Sequence, residues 1–161
     1  MKEVHIDTLV QCYALEELSS EDCALVEKAC QATSTSYSPY SHFQVGAALR
    51  LADGRIFLGS NQENAAFPSG LCAERTAFFA ASANAPDVAP VAIAIAAQTR
   101  GKFLAKPITP CGQCRQALLE AETRFHQPIR IMLYGTEGVY VVESMHALLP
   151  LNFDGSELER A

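Results

Sequence analysis

No apolar run in this chain approaches the roughly 18 to 20 residues that a membrane-spanning helix needs. Hydrophobic residues make up 49% of the 161, but they are spread along the sequence, which argues for a buried core and against a membrane partner. Positive charge is also scarce, with 12 Lys and Arg against 18 Asp and Glu, a net charge of −6 and a pI near 5.2. Polynucleotide binding relies on clustered basic side chains, so nucleic acid is not an expected partner, whereas a small neutral substrate suits an acidic surface. Histidine is rare: His5, His42, His126 and His146 are the only four, and none stands at close ligand spacing to a cysteine. The opening residues Met1–His5 lack the basic start and apolar core of a secretion signal. A cytoplasmic location and a single domain over 1–161 are therefore expected. In that setting six cysteines point to reduced thiols and metal ligation, not to a disulfide framework.

What is present is a run of alternating elements. Val4 to Tyr13 alternate imperfectly and read as a strand or an extended arm. Ser19-Ser20-Glu21-Asp22 has the form of a helix start, and Leu25, Val26, Ala29 and Cys30 follow at helical spacing, so a helix is expected over about 20–34. Cys23 and Cys30 on it read as small core residues. Tyr37 to Phe43 form an aromatic-rich loop, either pinned by ring packing or walling a pocket in which Phe43 offers its face to a base. Val45–Leu51 and Arg55–Gly59 are strand-like runs joined through Asp53-Gly54, a hairpin signal. Cys72 to about Ala85 predicts a helix closed by Pro86, Val91–Ala97 a central strand, and Gln98–Lys106 a polar connection. Cys111 to about Phe125 predicts a further helix with a Leu118, Ala121 and Phe125 stripe. Ile129–Tyr134 and Val139–Val142 are strand-like, Ser144–Leu149 a short helix, and a polar tail occupies 154–161. The sum is an α/β fold: a three-layer α/β/α sandwich with a mixed sheet of about five strands.

The chemistry concentrates in two stretches, Asn61 to Arg75 and Pro110 to Arg115. Together they supply Cys72, Cys111, Cys114 and the carboxylate of Glu74. Three thiolates are one ligand short of a closed structural zinc site, and a catalytic Zn²⁺ keeps that position for water. Both cysteine segments open helices, where free N–H groups and the helix dipole favour thiolate. Cys111 and Cys114, three apart, face one side of a first turn. Glu74 is placed to move protons. Arg75 is the expected compensator of thiolate charge, while Arg115 serves either the thiolates or a surface carboxylate. Asn61 and Glu63 share the parity of an extended segment, so both are expected to enter one cavity and bind hydroxyls, with ribose the natural candidate.

Tyr37-Ser38-Pro39-Tyr40-Ser41-His42-Phe43-Gln44-Val45-Gly46-Ala47-Ala48, Asn61-Gln62-Glu63-Asn64-Ala65, Cys72-Ala73-Glu74-Arg75-Thr76-Ala77, Pro110-Cys111-Gly112-Gln113-Cys114-Arg115-Gln116 and Leu148-Leu149-Pro150 with Phe153 carry a further signal. On these motifs the chain resembles the small, homotetrameric, zinc-dependent cytidine deaminases of nucleoside metabolism over about 37–153. The resemblance implies hydrolysis of cytidine and deoxycytidine to uridine and deoxyuridine with release of ammonia, in pyrimidine salvage. It implies one zinc per subunit on Cys72, Cys111 and Cys114, with Glu74 as proton shuttle. It further implies Phe43 packed on the pyrimidine, Asn61 and Glu63 on the ribose 3′-hydroxyl, and Ala65, Phe67 and Phe153 completing the pocket of a neighbouring subunit in a homotetramer with shared active sites. Phe67 stands where the family often has Tyr, and Gln44 where Pro is common. Residues 1–15 match the pattern poorly.

Two rival readings fit these residues less well. A deaminase of another nucleoside-like substrate, such as blasticidin S or a free base, has no use for the hydroxyl-binding pair Asn61 and Glu63. A non-catalytic zinc-binding scaffold has no need of Glu74.

Overall fold

The computed structural model describes residues 1–155 and Leu158, so the last part of the expected 154–161 tail lies outside the described residues. Among the described residues seven strands form one mixed sheet. They are β1 (Gln11–Tyr13), β2 (Phe43–Leu51), β3 (Ile56–Ser60), β4 (Pro90–Thr99), β5 (Lys102–Phe103), β6 (Arg130–Gly135) and β7 (Gly138–Val142). Among the described residues four α-helices accompany them: α1 (Ser20–Ala32), α2 (Ala73–Asn84), α3 (Gly112–Phe125) and α4 (Met145–Leu148). The order across the sheet is β1-β7-β6-β4-β2-β3, with β5 added to the end of β4. Five of these strands match the expected ones. The other two, β1 and β5, are three and two residues long, too short to leave a periodic signature. Of the Val4–Tyr13 run only Gln11–Tyr13 pairs, antiparallel to β7, while Val4, Ile6, Leu9 and Val10 stay exposed. The polar connection after Ala97 likewise proves to hold the end of β4 and a tight reversal at Arg100-Gly101, both at positive φ, into β5.

Alternation along the strands assigns the two faces. Ala48, Ala92, Ala94, Ala96, Met132, Val139 and Val141 meet Leu25, Val26 and Ala29 of α1. Ala47, Leu49, Ile93, Ile95, Ile131 and Leu133 meet α2, α3 and α4 through Ala73, Ala77, Ala81, Leu118, Leu119 and Met145. The three-layer sandwich is thus realised, with each fully buried Leu or Ile worth about 1.5–3 kcal/mol. Helix α1 begins on Ser19, whose hydroxyl accepts from the Asp22 amide at 3.2 Å, and yields at Thr33 to a 3-10 turn instead of running to 34.

Small residues set how closely the layers approach. A Cβ on Gly59 would lie 2.3 Å from the Ala73 carbonyl oxygen and 2.4 Å from the Ala77 nitrogen, so α2 rests its backbone directly on β3. The connectivity does the rest. Because β3 and β4 both run antiparallel to β2, they leave the sheet at the same end, and β4 and β6 are parallel neighbours. Helix α2 follows β3, and α3 follows β4 by way of the two-residue β5 at its carboxyl end, so both helices are fed from the sheet end where open α/β sheets hold their ligands.

Candidate active site

Cys72 and Cys111 are the residues immediately before α2 and α3, each in extended conformation, and their carbonyls accept the first helical bonds from Thr76 and Arg115. The shared sheet end therefore brings two helix N-termini, with their free N–H groups, to one place. The Cys72 and Cys111 sulfurs are 3.7 Å apart, Cys111 and Cys114 are 3.5 Å apart, and all three sulfurs lie within 4.8 Å of one another. Tetrahedral zinc at about 2.3 Å from thiolate sulfur sets its sulfurs just under 4 Å apart, so this soft, convergent donor set fits the ion.

The electrostatics follow from crowding. Cys72 is drawn down to about 5, chiefly by a hydrogen bond from the Cys114 thiol and then by Arg75, whose Nη2 lies 3.9 Å from the Cys72 sulfur. Cys114, fully buried, is pushed up because it keeps the proton it shares with Cys72. Glu74 is not the solvent-facing carboxylate common in first helical turns: it is only 4% exposed, and burial raises its pKa, with the charge of Cys72 acting the same way. The Arg75 Nε is buried without a hydrogen-bond partner among the described residues.

A cleft of about 720 Å³ opens beside this cluster. Cys72, Arg75 and Gln113 line it beside the thiols, and Asn61, Glu63 and Phe67 line it as well. The extended segment 61–63 is pinned alternately: the Asn61 carbonyl and the Glu63 amide bond Tyr37, while Gln62 bonds Leu71 in both directions. Asn61 and Glu63 both line the cleft, but so do Gln62 and Asn64, so parity alone does not single the pair out. Asn61 is already heavily engaged. Its Oδ1 accepts from Ser36 Oγ at 2.5 Å and Val45 N at 2.8 Å, and its Nδ2 donates to the Phe43 carbonyl at 2.9 Å. Glu63 Oε2 accepts from the amides of Tyr40 and Ser41 at 2.9 and 3.2 Å, and its pKa is lowered first by the Ser41 side chain.

The aromatic loop is partly ring-packed, with Tyr40 edge-on to Phe67 at 5.9 Å. Phe43 is half-buried, Ala65 is exposed and Phe153 is 63% exposed; none of the three lines the cleft of the single chain. Phe67 does line it, yet is 74% exposed. Among the described residues Arg115 meets neither a thiolate nor a surface carboxylate: Nε donates to the Pro110 carbonyl, Nη1 to the Leu148 carbonyl and Nη2 to Thr109 Oγ1, at 2.8, 2.5 and 3.1 Å. Ser36 and Gln113 were not foreseen. Gln113, lying between two cysteine ligand candidates, could have been flagged by position alone, whereas Ser36 reaches the site only through a contact 25 residues away in sequence.

The sequence model described as "Cytidine and deoxycytidylate deaminase zinc-binding region" matches residues 19–126. The chain belongs to this family. Among its relatives, the cytidine deaminase of Halalkalibacterium halodurans is 48% identical over 97 residues, covering 60% of this chain and 68% of that one. A probable cytidine deaminase of Dictyostelium discoideum is 40% identical over 101 residues, or 63% of each chain. The crystal structure of cytidine deaminase from Burkholderia pseudomallei superposes with a TM-score of 0.68 at 42% identity, covering 81% of this chain and 97% of that one. The deaminase family match spans Cys72, Glu74, Cys111 and Cys114, and thereby joins the zinc-compatible geometry to a zinc-binding fold.

Proposed function

We propose that this chain hydrolyses cytidine and deoxycytidine to uridine and deoxyuridine, releasing ammonia. The observation that carries the reading is a buried carboxylate, Glu74, set beside three convergent thiols at the edge of a cleft whose other side presents Glu63. Cys72, Cys111 and Cys114 hold one zinc ion per subunit. When bound, it supplies Lewis acidity that makes water nucleophilic near neutral pH.

The chain's own residues do the remaining work. Glu74, its pKa raised by burial, takes one proton from the attacking water and passes it to the ring nitrogen, then takes the proton left on the added hydroxyl and passes it to the amino group, so that the water oxygen stays as the product carbonyl and the amino group leaves as ammonia. Arg75 offsets thiolate charge at Cys72. Glu63, with one carboxylate oxygen committed to loop amides, offers the other to the ribose 3′-hydroxyl. Asn61, with its Oδ1 filled, contributes the second hydrogen of Nδ2. Phe43 packs on the pyrimidine. The exposure of Phe67 and Phe153 supports a homotetramer in which Ala65, Phe67 and Phe153 of neighbouring copies complete each pocket. The same reading takes residues 1–161 as one domain acting in cytoplasmic pyrimidine salvage. No helix among the described residues is long and apolar enough to cross a membrane.

Turnover of zinc-replete protein on cytidine, deoxycytidine, cytosine, adenosine and blasticidin S tests the reaction, with only the first two consumed. Glu74→Gln keeps zinc and assembly and loses about 10²- to 10⁴-fold in kcat. Near-normal turnover in that variant removes the mechanism, and inactivity of the parent protein on every substrate turns the reading toward a scaffold.

A further inference from the structure

Arg115 and Gln116 follow Cys114 near the start of α3, and neither lines the cleft. Their bonds run elsewhere. Arg115 spreads its three donor positions over two segments: Pro110 and Thr109, which lead into Cys111, and the carbonyl of Leu148 at the end of α4. Gln116 Nε2 donates to the Phe153 carbonyl at 2.9 Å. One helical turn therefore grips both the loop that delivers a cysteine and the segment that delivers Phe153.

A surface arginine needs only one carboxylate, and carboxylates are plentiful in a chain of net charge −6. This one instead spends a planar fork on two carbonyls and a hydroxyl, an arrangement that fixes geometry and that a lysine cannot reproduce. We propose that Arg115 and Gln116 are positioning residues that couple zinc binding to the placement of the C-terminal segment, so that the pocket wall offered to a neighbouring copy is set only when Cys111 is held on the metal. The inference rests on the proposed roles of the cysteine cluster and of Phe153.

The chain contains no tryptophan, so F153W introduces a single emission reporter at a 63% exposed position. Its emission is followed in the full-length protein while zinc is removed with a chelator and restored, in the parent background, with R115K and with Q116A. In the parent the emission shifts reversibly with zinc. R115K binds zinc about tenfold more weakly and loses most of the shift. Q116A keeps zinc affinity within about twofold, loses the shift, and raises KM for cytidine about fivefold, the effect of one lost hydrogen bond. A shift of equal size in all three proteins overturns the proposal, as does no shift in the parent or zinc weakening by Q116A equal to that by R115K. The emission and zinc readouts need no substrate, so a protein inactive on cytidine sinks the proposed reaction without deciding this coupling.

Discussion

Gly59→Ala tests whether the contact of α2 with β3 sets the position of the Glu74 carboxylate. The added Cβ would sit 2.3 Å from the Ala73 carbonyl and 2.4 Å from the Ala77 nitrogen, where ordinary contact begins near 3.4 Å. Both obstacles are helix backbone, so no side chain can swing aside, and α2 has to retreat by about 1 Å. Ala73 lies between Cys72 and Glu74, and the retreat is therefore applied at the site itself. A misplacement of about 1 Å costs on the order of 10²-fold in turnover. Overpacking costs about 1–3 kcal/mol, of which the stiffer unfolded chain returns less than 1, so melting falls by about 5 °C. Gly112→Ala is the paired control: its Cβ meets nothing within 4 Å although it adjoins Cys111, so it keeps zinc and activity and melts slightly higher. Zinc content, cytidine turnover and thermal melting of the two variants give the answer. A Gly59→Ala protein with parental kcat and melting temperature would refute the claim that this contact places Glu74.

Glu63→Ala loses roughly ten- to a hundredfold in kcat/KM on cytidine, the worth of a charged hydrogen bond, and far less on an analogue lacking the 3′-hydroxyl; equal losses on both would assign Glu63 to the Tyr40–Ser41 loop alone. Cys111→Ser loses zinc and turnover, whereas Cys23→Ser, whose hydroxyl can keep the bond to the Leu15 carbonyl, retains both when metal content and rate are measured together. Glu122→Gln destabilises by about 3 kcal/mol in denaturant titration, because the buried carboxylate accepts from Ile129 N, Met145 N, Ser144 Oγ and His146 N, and an amide must turn a donor toward two of them.

The parts of the fold legible in the sequence were those written in local pattern. Asp53-Gly54 marked the hairpin, and Gly54 takes φ 86 there. The near-continuous run at Val91–Ala97 marked a strand covered on both faces, and residues 92–97 are all buried. The paired cysteines were legible as a metal cluster because ligand chemistry restricts residue type and the i, i+3 spacing fixes a face. What stayed hidden depends on contacts distant in sequence. The direction of Arg115 is decided by a carbonyl 33 residues on, and the occupancy of Asn61 by partners 16, 18 and 25 residues back. β5 exists because β4 offers it an edge after a two-residue reversal, and nothing in Lys102-Phe103 itself specifies a strand.

The charges at the site explain why Arg75 forms no ion pair with a carboxylate among the described residues. Three thiolates and Glu74 bring four negative charges into a space where two sulfurs stand 3.5 Å apart, and the protein alone cannot hold them: Cys72 ionises while Cys114 retains its proton. The two helix N-termini contribute about half an elementary charge each, Arg75 one, and a divalent zinc two, which together match the four negatives. A carboxylate on Arg75 would upset that match and return excess negative charge to the thiolates, weakening both the acidity of the metal and the case for a neutral substrate. The guanidinium instead keeps Nη2 toward Cys72 and leaves Nε buried without a hydrogen-bond partner among the described residues, a cost borne where an uncommitted positive charge has a use. Arg75→Gln should therefore weaken turnover more than it weakens zinc binding, since three thiolates still chelate the ion while the excess charge they then keep makes it a poorer Lewis acid.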